Sequence, residues 1–212
     1  MKMFLLVLWA ALSLGAQNPD PALAPVAETP GLPRVLLIGD SISMGYTLPV
    51  RELLKGKANV LRIPVNGAFT RFALQNVDKW LGDGKWDVIH ANWGLHDLKI
   101  MDDGKHQVGI EEYERNLEAL MMRLKKTGAR VIYATTTPVP EGKVSPPRIP
   151  ADVARFNAVA VAVMRRNGIR VNDLYAAILP RLGELQRPVN VHYTAAGYDF
   201  LAVHVAKAIE QQ

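Results

Sequence analysis

The chain has 212 residues, 49% of them hydrophobic and 21% charged, with a formal net charge of +5. That length and composition suit one globular domain with a real core. No cysteine is present, which excludes disulfides, a thiolate nucleophile and thiolate metal sites, and the basic residues are scattered rather than blocked, which argues against nucleic acid as a partner.

Lys2 precedes an apolar run over residues 3–14, and small residues follow at Gly15 and Ala16. This pattern predicts a secretory signal peptide over residues 1–16, cleaved after Gly15 or Ala16. The run is short for a bilayer. The mature chain is therefore expected to be exported, periplasmic or extracellular, with no stable membrane span; an uncleaved anchor is the alternative. Residues 17–33 hold five prolines and little periodicity, the composition of a disordered linker. The folded domain is expected over residues 34–212.

Short apolar runs at 35–38, 60–63, 86–91, 129–134 and 169–171 predict five buried strands. Helical stretches separate them at 70–81, 110–126, 151–166, 173–185 (interrupted by Pro180) and 194–210. The second of these carries one apolar stripe, Tyr113, Leu117, Leu120, Met121 and Leu124. Thr194 is a natural N-cap for the last. Strands alternating with helices predict an α/β fold, a three-layer α/β/α sandwich with a flavodoxin-like five-stranded parallel sheet. Sites in such sheets lie at the carboxyl ends of the strands. The proline-rich stretch 136–150 is expected to form a long loop at that edge.

Gly39-Asp40-Ser41 directly follows the first strand and opens a helix. A serine there is exposed at the sheet edge, with its N–H at a helix N-terminus, where negative charge is favoured. That setting suits a nucleophile whose substrate becomes an oxyanion. Asp40 is suited to tether the turn. Asn66-Gly67 follows the second strand, Asn92-Trp93-Gly94-Leu95-His96-Asp97 the third, and Val189-Asn190-Val191-His192 precedes the last helix.

In this order the segments resemble the conserved blocks of the GDSL, or SGNH, hydrolases, over most of residues 34–212. The resemblance implies a serine esterase with Ser41 as nucleophile and His192 as base. It implies an oxyanion held by the N–H groups of Ser41 and Gly67 and by a side chain. Two departures stand out. The family's third block reads Gly-X-Asn-Asp; Gly94 and Asp97 match, but His96 stands at the asparagine. An imidazole N–H donates the same kind of bond, and Asn92 is a nearby alternative. The fifth block reads Asp-X-X-His, and Val189 occupies the acid's place. Asn190 can orient the imidazole but cannot neutralise it, and Asp173, Asp199 or a backbone carbonyl are further candidates.

The expected substrate is a small ester or an acylated carbohydrate, with O-acetyl groups on a polysaccharide as one candidate, and with no cofactor and no metal. The rival reading is a catalytically weak SGNH-like carbohydrate-binding module, motivated by Val189 and His96. Trp93 is a candidate pocket residue, whereas Phe72, Trp80 and Trp86 read as core. His90, His106 and His204 read as structural. Arg71, Arg148 and Arg155 read as surface residues able to meet an acidic substrate.

Overall fold

The computed structural model describes residues 20–211, so the predicted signal peptide lies outside the described residues. Five strands form one parallel sheet: β1 (Arg34–Ile38), β2 (Asn59–Arg62), β3 (Val88–Ala91), β4 (Arg130–Ala134) and β5 (Arg170–Asn172). Their order is β2-β1-β3-β4-β5. This is the flavodoxin-like arrangement, and its switch point falls between β1 and β3.

The helices are α1 (Ser41–Leu53), α2 (Thr70–Leu81), α3 (Ile110–Lys126), α4 (Pro150–Arg166), α5 (Leu174–Ile178), α6 (Leu182–Leu185) and α7 (Ala195–Glu210). Helices α1 and α7 pack together, while α2, α3 and α4 pack in sequence. The sheet is thus covered on both faces, and Leu37, Ile38, Ile89 and Ile132 are fully buried between the layers. Burial on both faces explains why these strands are continuous apolar runs rather than alternating ones.

Local sequence fixes the helices. In α3 the predicted stripe from Tyr113 to Leu124 is buried. Glu111 and Glu112 occupy its first turn, and Arg123, Lys125 and Lys126 its last. Both placements complement the helix dipole. The stretch 173–185 breaks at Pro180 into α5, a 3₁₀ turn over Leu179–Arg181 and α6. Proline lacks the N–H that a continuous helix would use there. The Thr194 hydroxyl caps α7 by accepting from the Gly197 N–H.

One expectation is corrected. From Asp20 onward the proline-rich segment is laid against the domain rather than standing free. A 3₁₀ turn over Pro21–Leu23 buries Ala22 and touches α1. Asn59 at the start of β2 accepts from the Thr29 N–H at 2.8 Å and donates to the Thr29 carbonyl at 2.9 Å. Prolines suppress the periodicity that would have revealed this packing, and side-chain hydrogen bonds hold the segment instead.

Candidate active site

Ser41 is the first residue of α1, held there by Asp40. The buried Asp40 carboxylate caps the helix, accepting from the Ile42 N–H at 2.9 Å. Burial raises its pKa, opposed by that hydrogen bond and by the charge of Arg62. The Arg62 guanidinium, itself buried, reaches across from the end of β2. Its Nη2 donates to the carbonyls of Gly39 at 2.9 Å and Asp40 at 3.0 Å. Arg62 was not among the sequence candidates. The available signal was a charged residue inside the apolar run of a doubly covered strand.

His192 is presented by a tight turn between α6 and α7. The Arg187 N–H donates to the His192 carbonyl at 2.9 Å, and the Thr194 N–H to that of Leu185 at 2.9 Å. Its Nε2 lies 2.9 Å from Ser41 Oγ, although the two residues are 151 apart in sequence. Its Nδ1 lies 2.8 Å from Asn190 Oδ1, which also accepts from the His192 backbone N–H at 2.9 Å. A backbone N–H can only donate, so the amide atom facing it is the oxygen. The same oxygen then requires the imidazole proton on Nδ1. Nε2 is left bare, facing the Ser41 hydroxyl.

Asn190 is thus the third member of the constellation, and the other candidates are eliminated. Asp173 caps α5 and accepts from the Thr135 hydroxyl at 2.8 Å. Asp199 is exposed on α7. Val189, at the family's acid position, is exposed and has a left-handed backbone, φ 49°. Its methyl groups face Gly142 in the β4–α4 loop. Burial lowers the pKa of His192 below its usual value, and the charges of Arg187 and Arg148 lower it further.

The turn after β3 carries the third block. Three hydroxyls converge on the Trp93 carbonyl: Tyr133 at 2.6 Å, Tyr113 at 2.9 Å and Thr136 at 3.0 Å. Trp93 itself is fully buried, which removes it as a pocket residue. Gly94 follows with φ 140°, and a Cβ there would sit 2.2 Å from the Thr136 hydroxyl. Only glycine meets both conditions. Asp97, also buried, accepts from the Thr70 N–H at 2.9 Å and the Thr70 hydroxyl at 2.6 Å, tying this turn to the start of α2. Burial pushes its carboxyl up to about 7.

The oxyanion donors divide differently from expectation. The Ser41 N–H has no acceptor among the described residues. Gly67 is corrected: its N–H donates to the Gly39 carbonyl at 2.8 Å, and a Cβ there would approach that oxygen to 2.7 Å. Its role is to dock one loop on another. Asn92 is nearly buried and donates to the Ala134 carbonyl at 2.8 Å, bridging β3 and β4. His96 is half-buried at the site, and its Nδ1 lies 3.0 Å from Lys99 Nζ. Burial lowers its pKa to about 3, with further lowering by Lys99, Arg148 and His192. Of the side chains the block pattern offers as donors, Asn92 is engaged elsewhere, and His96 lies near enough to His192 for the two to feel each other's charge.

Arg148 is corrected from surface to buried residue. Its Nε donates to the Leu95 carbonyl at 2.8 Å, bracing the third-block turn from the 136–150 loop. Arg71 and Arg155 are engaged by Glu112 and Asp152. His90 is buried in β3, with Nε2 3.2 Å from the Asn172 amide. His106 meets Asp152 at 2.8 Å, and His204 lies against Phe200. Phe72 packs against Trp80, and Trp86 lies under the Arg34 guanidinium. A cleft of about 490 Å³ lies at the opposite, amino-terminal edge of the sheet, lined by Val35, Leu54 and Arg130 among others, far from this chemistry.

A model of the GDSL-like lipase/acylhydrolase family matches residues 37–200. The chain belongs to that family. It is an ester hydrolase of the GDSL/SGNH type. Among solved structures, a lipase/acylhydrolase from Enterococcus faecalis is 21% identical with a TM-score of 0.73, covering 84% of this chain and 95% of that one. An acetyl xylan esterase is 20% identical with a TM-score of 0.69, covering 83% and 99%. An acetylxylan esterase from Geobacillus stearothermophilus is 19% identical with a TM-score of 0.70, covering 85% and 95%. At these identities the likeness shows the shared fold. No curated protein matches the chain. Within the GDSL fold, His96 and Val189 remain departures from the block pattern.

Proposed function

We propose that this GDSL hydrolase cleaves carboxylic esters through an acyl-enzyme on Ser41, with His192 as general base and acid and Asn190 as its orienting partner. The observation that carries the reading is the 2.9 Å contact between Ser41 Oγ and a bare His192 Nε2, the proton being held on Nδ1 by Asn190. Nε2 takes the Ser41 proton as Oγ bonds to the ester carbonyl carbon. The carbonyl oxygen becomes the oxyanion, facing the Ser41 N–H at the positive end of α1 and the His96 imidazole. The carbon–oxygen bond to the alcohol then breaks, and the imidazolium returns its proton to the departing alkoxide. Water repeats the sequence: His192 takes its proton, the hydroxide attacks the acyl carbon, Oγ leaves and is reprotonated, and the carboxylic acid departs.

For the substrate we propose short acyl groups, O-acetyl on carbohydrate above all. Two of the fold neighbours named above are acetyl xylan esterases. The N-terminal leader pattern supports an exported enzyme that meets such polymers outside the cytoplasm.

The test is hydrolysis of p-nitrophenyl acetate and release of acetate from acetylated xylooligosaccharides. Activity on both is expected, falling by about a millionfold in kcat for Ser41→Ala or His192→Ala. Wild-type turnover no higher than that of Ser41→Ala would refute the mechanism. Turnover of the aryl acetate without acetate release from the sugar would refute the substrate.

A further inference from the structure

We propose that Lys99 is a positioning residue that holds His96 as the neutral imidazole with its proton on Nε2, the form able to donate to the oxyanion. This rests on the Ser41 esterase reading above and assigns a residue that the block pattern does not contain.

The geometry is local and complete. Lys99 Nζ lies 3.0 Å from His96 Nδ1. An ammonium has three protons and no lone pair, so it can only donate. Nδ1 must therefore be the acceptor, and the single proton of a neutral ring sits on Nε2. A neutral imidazole left alone exchanges between two tautomers, and only one presents a donor at Nε2. Lys99 removes that choice.

The backbone places Lys99 for the task. Its N–H donates to the His96 carbonyl at 3.3 Å, and its carbonyl accepts from the Gln107 N–H at 2.7 Å. The residue is thus pinned between the third-block turn and the strand-like return at 106–108. Its side chain makes no ion pair with a carboxylate among the described residues.

The surrounding charges act in the same sense. Facing His96 are Lys99, Arg148 and His192, all of which disfavour an imidazolium, and burial does so more strongly. Asp40 and Asp97 act on Lys99 to keep it charged, against its own burial and the charge of Arg148. His96 therefore stays neutral wherever His192 is a competent base. A proton pulled toward Nδ1 from the lysine side also makes the Nε2–H a better donor as negative charge develops across the ring. An asparagine needs no such help, since its amide nitrogen always carries two protons. The departure at His96 and the presence of Lys99 are on this account one coupled change.

The experiment combines nitrogen NMR of the imidazoles with a double-mutant cycle in the full protein. In wild type the His96 ring should remain the neutral Nε2–H tautomer from about pH 5 to about pH 9. A His96 ring protonated on Nδ1, or charged at pH 6, overturns the proposal irrespective of any activity. Lys99→Met should lower kcat by about tenfold or more, with KM for the ester little changed. Lys99→Arg, which keeps a donor, should recover most of it. In the H96N background, removing Lys99 should change kcat by less than about threefold. An equal loss in both backgrounds, or no loss in either, overturns the proposal. Should Lys99→Met not fold, Lys99→Leu takes its place, and the wild-type tautomer remains decisive. An inactive wild type, by contrast, overturns the Ser41 reading while leaving the tautomer measurement to decide on Lys99.

Discussion

At the scale of single residues, the proposed base has a neutral partner. Asn190 fixes the productive tautomer of His192 but offers no charge to the imidazolium that forms. Hydrogen bonds to an ionised acceptor are roughly twice as strong as neutral ones. Asn190→Asp should therefore raise kcat by about tenfold, equivalent to about 1.4 kcal/mol. It should also move the acid limb of the pH–rate profile upward. Val189→Asp should do neither, because Val189 faces Gly142 rather than the imidazole. The sign for charge follows from the same histidine. Its pKa lies below 6.5 because burial, Arg187 and Arg148 all oppose the imidazolium. On the proposed mechanism the base is thus deprotonated, and activity is expected to persist, at lower pH than a free histidine allows. Arg187→Gln removes one cation, so the acid limb should shift toward higher pH. A profile unchanged in kcat/KM would contradict that assignment.

At the scale of elements, Asp97 links the third-block turn to the first residue of α2 through Thr70. Its carboxyl titrates near 7 in the folded chain against 3.8 when unfolded. Between those values the folded state binds the extra proton, so this group's contribution to stability falls as pH rises from about 4 to about 7 and is level above that. Buried neutral histidines such as His90 contribute the opposite slope at acid pH. The comparison that isolates Asp97 is urea denaturation of wild type and Asp97→Asn at pH 5 and pH 8. The stability difference between them should change in favour of the variant at the higher pH; a difference independent of pH would contradict the buried-carboxyl account.

Helices α2 and α3 span the residues expected for them, 70–81 and 110–126, because local periodicity determines them. Ser41 and His192 were legible for a similar reason: each sits at the junction of a recognisable element and a block. Arg62 and the buried course of Arg148 were not. Each acts by a side chain crossing to another loop, as Arg62 does to Gly39, 23 residues away. No local pattern encodes such a crossing. Gly67 shows the converse, since the sequence places it at the right loop but does not reveal that Gly39 takes its N–H.

For the whole molecule, the sheet order sets β1 beside β3, and so brings the nucleophile's turn against the third-block turn at the switch point. The amino-terminal stretch belongs to this frame. Asn59 holds it by hydrogen bonds to the Thr29 N–H and carbonyl and a longer one to the Leu32 carbonyl at 3.3 Å, beside the ion pair of Arg34 with Glu28. Asn59→Ala should destabilise the protein by about 2 kcal/mol, at roughly 1 kcal/mol per good hydrogen bond. Urea denaturation measures this, and a change below about 0.5 kcal/mol would mean the segment is only loosely attached.

The most direct measurement on the nucleophile is covalent labelling of folded protein by a fluorophosphonate, read by intact mass and peptide mapping. One adduct on Ser41 is predicted, absent in Ser41→Ala and greatly slowed in His192→Ala. A folded wild-type protein that takes no label, or takes it on another serine, would contradict the assignment of Ser41 as the residue that attacks.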